Sequence, residues 1–529
     1  MKKPISVIML LAVLVPATLA AGPVYGGSNG QGRAGEVVPD SYIVVLQDGV
    51  SVDEVAADHG VARKHRYRAV FARFSGKVPP GRVKALRNDP RVVSVSENRR
   101  VQADPKPENP GGGKGGGGGK NKPPVVEVTS PADGATFDSG TPIAFAGAAT
   151  DDKDGDVSAS IAWESSIGGP LGAGASISVS TLADGNHSIT ASATDSGGKT
   201  GSDSIGITVG SVPPPNNQII PSGVQRIGAA GLGYTGAGVG VAIVDTGIDF
   251  GHADLSVAST CFTVYGSCQD DAGHGTHVAG IVAALDNSTD VLGVAPGAAL
   301  YAVKVLDSSG GGDWADVVAG LEWVLSNQDK IQVVNMSLGG PAFAGDSFIG
   351  TAVANLDAAG ISVVVSAGNE RNDEITDRVP ARFPEAMAVA SSTAQDGTGP
   401  SKGRCAGMQI LADTASTFTT DGAGVAISAP GNSHEDISKG CSIQGTGILS
   451  LQLGGGTTRK SGTSMAAPHV AGVAALMLEK NGTLTPAGVR AAIGGSADRQ
   501  GTAPLDSPVS GYTFDGVREG ILNAAGALQ

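Results

Sequence analysis

Val239-Gly240-Val241-Ala242-Ile243-Val244-Asp245-Thr246-Gly247 decides the fold of this chain. Residues 239–244 form an apolar run with no polar alternation, the pattern of a strand covered on both faces. Runs of the same kind stand at 300–305, 333–337 and 361–366, with helical patterns at 275–285, 314–326 and 464–478. Strands alternating with helices predict a parallel sheet between two helical layers, an α/β fold. Chemistry in such folds gathers where strands end. Three candidates stand at element ends: Asp245 after the quoted strand, His274 opening one helix and Ser464 opening another.

Outward from this core the chain changes character. Its 529 residues hold 36 Lys plus Arg, 50 Asp plus Glu and 81 Gly. Such a length predicts several domains. The apolar content excludes disorder, the unperiodic glycines exclude collagen, and the acidic balance excludes nucleic acid as a partner. Residues 1–21 read as a secretory signal: Lys2 and Lys3, an apolar run from Ile5 to Val15, and small Ala20 and Ala21. No later stretch is long and apolar enough for a membrane span, so a secreted, extracellular, monomeric protein is expected.

Residues 36–104 predict a small α+β domain of order β-α-β-α-β, with strands at 41–46, 70–74 and 91–95 and helices at 52–59 and 81–88. A glycine-rich linker follows at 105–122. Residues 123–210 show short alternating strands and turns, which predict an all-β immunoglobulin-like sandwich. Its acidic turn 151–156 lacks EF-hand spacing and reads as a plain turn rather than a calcium loop. A second linker, Val212-Pro213-Pro214-Pro215-Asn216, introduces residues 216–529. In an oxidising compartment the four cysteines are expected to pair. Three pairings are open, and Cys261–Cys268 with Cys405–Cys441 is favoured.

An acid, a histidine and a serine at element ends suit acyl transfer. Imidazole removes the serine proton, and the carboxylate orients the imidazole. Val241-Ala-Ile-Val-Asp245-Thr-Gly-Ile-Asp249, His274-Gly-Thr-His-Val-Ala-Gly280 and Gly462-Thr-Ser464-Met-Ala-Ala-Pro-His469 together resemble the three signatures of the subtilisin-like serine proteases, in that family's order. The resemblance implies Asp245, His274 and Ser464 as the triad of a protein- or peptide-hydrolysing endopeptidase. It implies Asn369, in Ser366-Ala367-Gly368-Asn369-Glu370, as oxyanion donor, and Ala367, Gly368, Ser337, Leu338 and Gly339 as the substrate-binding edge. His277 and His469 are assigned to packing, and Asp249 to structure.

The loop 285–294 resembles the family's calcium loop. The resemblance implies structural calcium held by carbonyls of Leu285, Thr289 and Val291 with side chains of Asn287, Asp254 and Gln218. Residues 38–104 resemble the family's inhibitor propeptide, an intramolecular chaperone and inhibitor. Charge supports this separately: residues 22–104 carry 13 basic and 9 acidic side chains, net +4, and residues 123–529 carry 17 and 40, net −23. Self-cleavage is expected near 100–110, with 210–217 as the alternative.

Several features depart from the family pattern. A sandwich stands between propeptide and protease, and segments 399–418 and 432–460 look inserted. Arg378 falls where many relatives have glycine at the base of the specificity pocket, implying a narrowed pocket or a taste for acidic side chains. Three other functions compete. An aspartic protease, suggested by Asp-Ser/Thr-Gly at Asp138, Asp195 and Asp245, leaves the His and Ser motifs unexplained. An adhesion protein with an inert protease fold leaves the intact triad unexplained. A lipase or esterase would need Gly-x-Ser-x-Gly around Ser464.

Overall fold

A computed structural model describes residues 33–67, 73–103, 124–132, 135–137, 139–151, 153–183, 185–209, 218–499 and 520–529. The expected signal segment, both linkers, the cleavage region 210–217, the part of the cleavage region 100–110 beyond residue 103, and Asp138 lie outside the described residues. The chain divides into two compact units, one holding residues 1–108, 221–285 and 293–529 and the other holding 109–220 and 286–292.

The larger unit is built on a nine-stranded sheet. Seven strands run parallel: Phe262–Thr263, Ala299–Lys304, Gly240–Asp245, Val333–Met336, Ser362–Ser366, Ala386–Thr393 and Val425–Ile437, in that spatial order. Alternate residues of one strand feed two cores. Val241 and Ile243 pack with helices His274–Ala283 and Thr463–Lys480, while Ala242 and Val244 pack with Trp314–Leu325 and Ser347–Ala358. That two-sided burial is why the quoted stretch is apolar at every position. The helix Ser347–Ala358 and the strand Ala386–Thr393 were not anticipated. Two antiparallel strands, Ile443–Leu451 and Thr457–Lys460, extend the sheet edge out of the inserted region. Cys405–Cys441 staples this insertion around Ile410, Ile437 and Ile443, and Cys261–Cys268 closes a short loop.

The N-terminal α+β part contains one strand more than expected, giving β-α-β-β-α-β. Ala62–Tyr67 pairs antiparallel with Arg73–Lys77 and was missed because Arg63, Lys64, His65 and Arg66 hide any apolar alternation. The rest of its sheet is Val37–Leu46 and Val92–Ala103. Val44, Leu46, Val55, Phe74 and Leu86 form its core beneath helices Val52–Asp58 and Val83–Arg87. The strand Val92–Ala103 then pairs with Gly311–Asp313 and Leu338–Pro341, so one seven-stranded sheet joins this part to the catalytic strands.

The second unit is a β-sandwich of five- and four-stranded sheets. Phe145, Trp163, Ile143, Ile161 and Ile189 fill its interior. In the acidic turn, Asp151 Oδ1 accepts the Lys153 and Asp154 N–H groups and Asp156 accepts Ser158, the bonds of ordinary turns. Among the described residues no helix is long and apolar enough to cross a membrane.

Candidate active site

Asp245 ends its strand fully buried, and His274 begins helix His274–Ala283. His274 Nδ1 lies 2.8 and 2.9 Å from the two Asp245 carboxylate oxygens. The sequence reading missed the residue that fixes this approach, Asp270. Its Oδ1 accepts Thr246 Oγ1 at 2.8 Å and Gly273 N at 2.9 Å, and its Oδ2 accepts Thr276 N and Oγ1 at 2.8 and 2.6 Å. Thr246 Oγ1 in turn accepts Gly275 N at 2.9 Å. One buried carboxylate thus ties the Asp245 turn to the first turn of the histidine helix. The signal was present in Asp270, four residues before His274, but nothing in sequence marks it as structural rather than solvated.

Ser464 opens helix Thr463–Lys480 and is 2% exposed. The preceding Gly462 has φ +151°, a conformation open to glycine, and a Cβ there would stand 3.3 Å from Asn369 Nδ2. Asn369 Oδ1 accepts Thr463 N at 3.0 Å and Thr463 Oγ1 at 3.1 Å. Ser337 and Ser464 clasp each other: Ser337 Oγ donates to Ser464 O at 2.8 Å and Ser464 Oγ to Ser337 O at 3.3 Å. Gly368 N donates to Thr463 Oγ1 at 3.2 Å, so residues 337, 368, 369 and 464 meet at one place. Ala367 is buried immediately before them.

Next to this cluster lies Arg378, whose Nη2 sits 2.9 Å from Glu370 Oε2 and whose Nη1 sits 3.5 Å from Asp373. Those two carboxylates offset its charge. Glu370 Oε2 also accepts Asn369 N at 3.0 Å. His277 and His469 are fully buried, and burial pushes their imidazoles down to about 3 and about 4. Both stay neutral packing groups. Asp249 accepts Gly251 N, Gln269 Nε2 and Gly454 N, a bracing role.

The strand Val92–Ala103 runs toward the serine. Gln102 pairs with Gly339 and with Gly311, Ala103 pairs with Leu338, and Ala103 N donates to Gly310 O at 2.8 Å. Behind it Lys64 Nζ meets Asp313 and Asp316, and His65 Nε2 lies 2.6 Å from Asp316 Oδ1. Burial opposes the Lys64 charge, yet the two aspartates hold its ammonium above the ordinary value. Burial likewise opposes ionisation of Asp316, while His65 and Lys64 keep its carboxyl low. Tyr67 and Asn98 bond Ala315, so this face covers the start of helix Trp314–Leu325.

Of the expected calcium donors in the larger unit, Asp254 is fully buried and its carbonyl accepts Leu285 N. In the other unit, Gln218 Nε2 donates to Val291 O at 3.1 Å, and Asn287 Oδ1 accepts Thr289 N and Oγ1.

Comparison with known proteins accords with this arrangement. The model of the subtilase family matches residues 236–512, that of the bacterial Ig domain 124–191 and that of peptidase inhibitor I9 41–104. Subtilisin of Bacillus pumilus is 43% identical over 282 residues, 52% of this chain and 90% of that protein. Subtilisin E of Bacillus subtilis (strain 168) is 42% identical over 282 residues, 52% of this chain and 65% of that protein. Alkaline elastase YaB of Bacillus sp. (strain YaB) is 39% identical over 269 residues, 50% of this chain and 61% of that protein. Motifs, sheet and matches agree: the chain belongs to the subtilase family of serine-type endopeptidases.

Proposed function

We propose that the chain is a secreted endopeptidase that hydrolyses extended polypeptide through an acyl-enzyme on Ser464 and matures by cutting off its own inhibitor segment. The observation that carries this reading is the strand Val92–Ala103, held between Gly311–Asp313 and Leu338–Pro341 and directed at Ser464. A substrate would take the same path by β-augmentation, its backbone paired to both edges.

His274 takes the Ser464 proton on Nε2 while Asp245 holds Nδ1–H and stabilises the imidazolium. The developing oxyanion receives the Asn369 side-chain amide and the backbone N–H at the helix start. His274 then protonates the leaving amine, and water repeats the sequence to free the enzyme. Until processing, residues 36–104 act as inhibitor, with Lys64 and His65 anchoring them to Asp313 and Asp316. The cut is expected near 100–110, with 210–217 as the alternative, and N-terminal sequencing of the secreted form separates the two.

Ser464→Ala is expected to abolish peptide hydrolysis and self-processing, roughly 10⁶-fold, the loss known when a subtilisin loses its serine. Persistence of both activities refutes the assignment. Calcium belongs to the same reading as a stabilising ion. The donors named from sequence are all oxygens and include the buried carboxylate of Asp254, a set suited to a hard cation. Chelation should lower Tm and leave the residues of the reaction untouched; an unmoved Tm sinks the calcium assignment.

A further inference from the structure

Lys304 ends the strand Ala299–Lys304 and is 1% exposed, although lysine is almost never fully buried without a partner. Its ammonium donates to Thr246 O at 2.5 Å, Asp271 Oδ1 at 2.7 Å and Leu306 O at 3.0 Å. Three acceptors use all three of its hydrogens. It also lies 5.3 Å from the centre of the Tyr265 ring.

Two of those acceptors belong to the turns that hold Asp245. In the parallel ladder Asp245 sits opposite Lys304. The Asp245 carbonyl accepts Val305 N at 3.0 Å and Leu306 N at 3.1 Å, and its Oδ1 accepts Thr246 N at 2.7 Å. The ammonium therefore grips the peptide that follows the carboxylate bonded to His274. An apolar residue here would leave the Thr246 and Leu306 carbonyls without this donor.

We propose that Lys304 is a positioning residue for the Asp245–His274 pair, its buried ammonium locking the turn Asp245-Thr246-Gly247 and setting the local positive potential. The proposal rests on the reading of Asp245, His274 and Ser464 as the triad. A cation beside this turn disfavours a second positive charge on the imidazole of His274. The charges that share the field are Asp271 and the Tyr265 phenol at Lys304, Asp270 at Thr246 and Thr276, Asp307, Asp313, Asp316 and Arg100 around Tyr265, and His277 and Lys460 near His274.

The test is the pH profile of kcat and kcat/KM for the processed enzyme on a chromogenic peptide. Lys304→Met and Lys304→Gln should raise the pKa of the acid limb by about one unit. Both should lower kcat about 10–100-fold with KM within about two-fold, the size of loss that misplacing a catalytic group causes. Lys304→Arg keeps the charge and should leave the acid limb where the unaltered enzyme has it. An unchanged acid limb in an uncharged variant that folds overturns the proposal. Failure of both uncharged variants to fold, with Lys304→Arg folding, assigns Lys304 to folding alone and also overturns it. Ser464→Ala in parallel keeps the two readings apart: residual activity there refutes the triad, whatever Lys304 does.

Discussion

The sandwich and the catalytic unit bury similar apolar side chains but differ in how many charged groups they bury, Asp151 and Asp195 in the sandwich against a longer set in the catalytic unit. In the sandwich, Trp163 Nε1 donates to Gly174 O, and the buried His187 is satisfied by Ser165 and Ala183. These are local bonds that complete a core. In the catalytic unit whole charges are buried: Asp245, Asp254, Asp270, Asp316, Lys304, Arg378 and Glu435. A buried ion persists only where partners repay its desolvation. The sandwich buries few charges, while the catalytic unit distributes many, among them Asp245, bonded to His274.

Truncating the two interiors should therefore fail in different ways. Trp163→Ala should destabilise the sandwich by about 3–5 kcal/mol and leave kcat on a short peptide within about two-fold. A matching fall in kcat would break the comparison. Asn369→Ala should lower kcat by 10²–10³, about 3–4 kcal/mol, the magnitude known for such a donor in a subtilisin, with the melting temperature little changed. A loss confined to KM would remove Asn369 from the oxyanion.

Glu435 sharpens the contrast inside the catalytic unit itself. Burial pushes its carboxyl up to about 7 from 4.5, although Thr417 and Asn432 donate to it. Between those values the folded protein holds a proton that the unfolded chain has lost, so stability falls as pH rises through the window. Glu435→Gln should remove that slope, making the variant more stable than the parent above neutrality by about 1–3 kcal/mol and no more stable in acid. Melts at the two ends of the window decide this; parallel curves would return Glu435 to the ordinary carboxylates.

The sequence was most legible where strand ends carry chemistry. Asp245 directly ends an uninterrupted apolar run, Asn369 stands three residues past the strand Ser362–Ser366, and two-sided burial writes such runs plainly. The sandwich was legible from its two-residue alternation. Ala62–Tyr67 was not, because its strand pairs at one edge and turns charge toward the catalytic unit. Asp270, Lys304 and Asp316 were illegible for a related reason. Key partners lie far off in sequence, Lys304 with Thr246 at 58 positions and Asp316 with Lys64 at 252, so only the folded chain gives them meaning. The strand Ile443–Leu451 and the end of Val425–Ile437 were obscured because segment 432–460 read as an insertion rather than as part of the sheet.

The two edges that hold Val92–Ala103 face each other across the width of a single strand. Such a slot admits one extended backbone and nothing thicker. A helix is about 10 Å across and carries its hydrogen-bonding groups inward, so it can neither fit nor pair. Compact targets must first lend a stretch of chain by opening locally, and their rate of digestion should follow how often they open rather than how many susceptible bonds they contain. The slot thereby makes the enzyme a reader of its targets' stability.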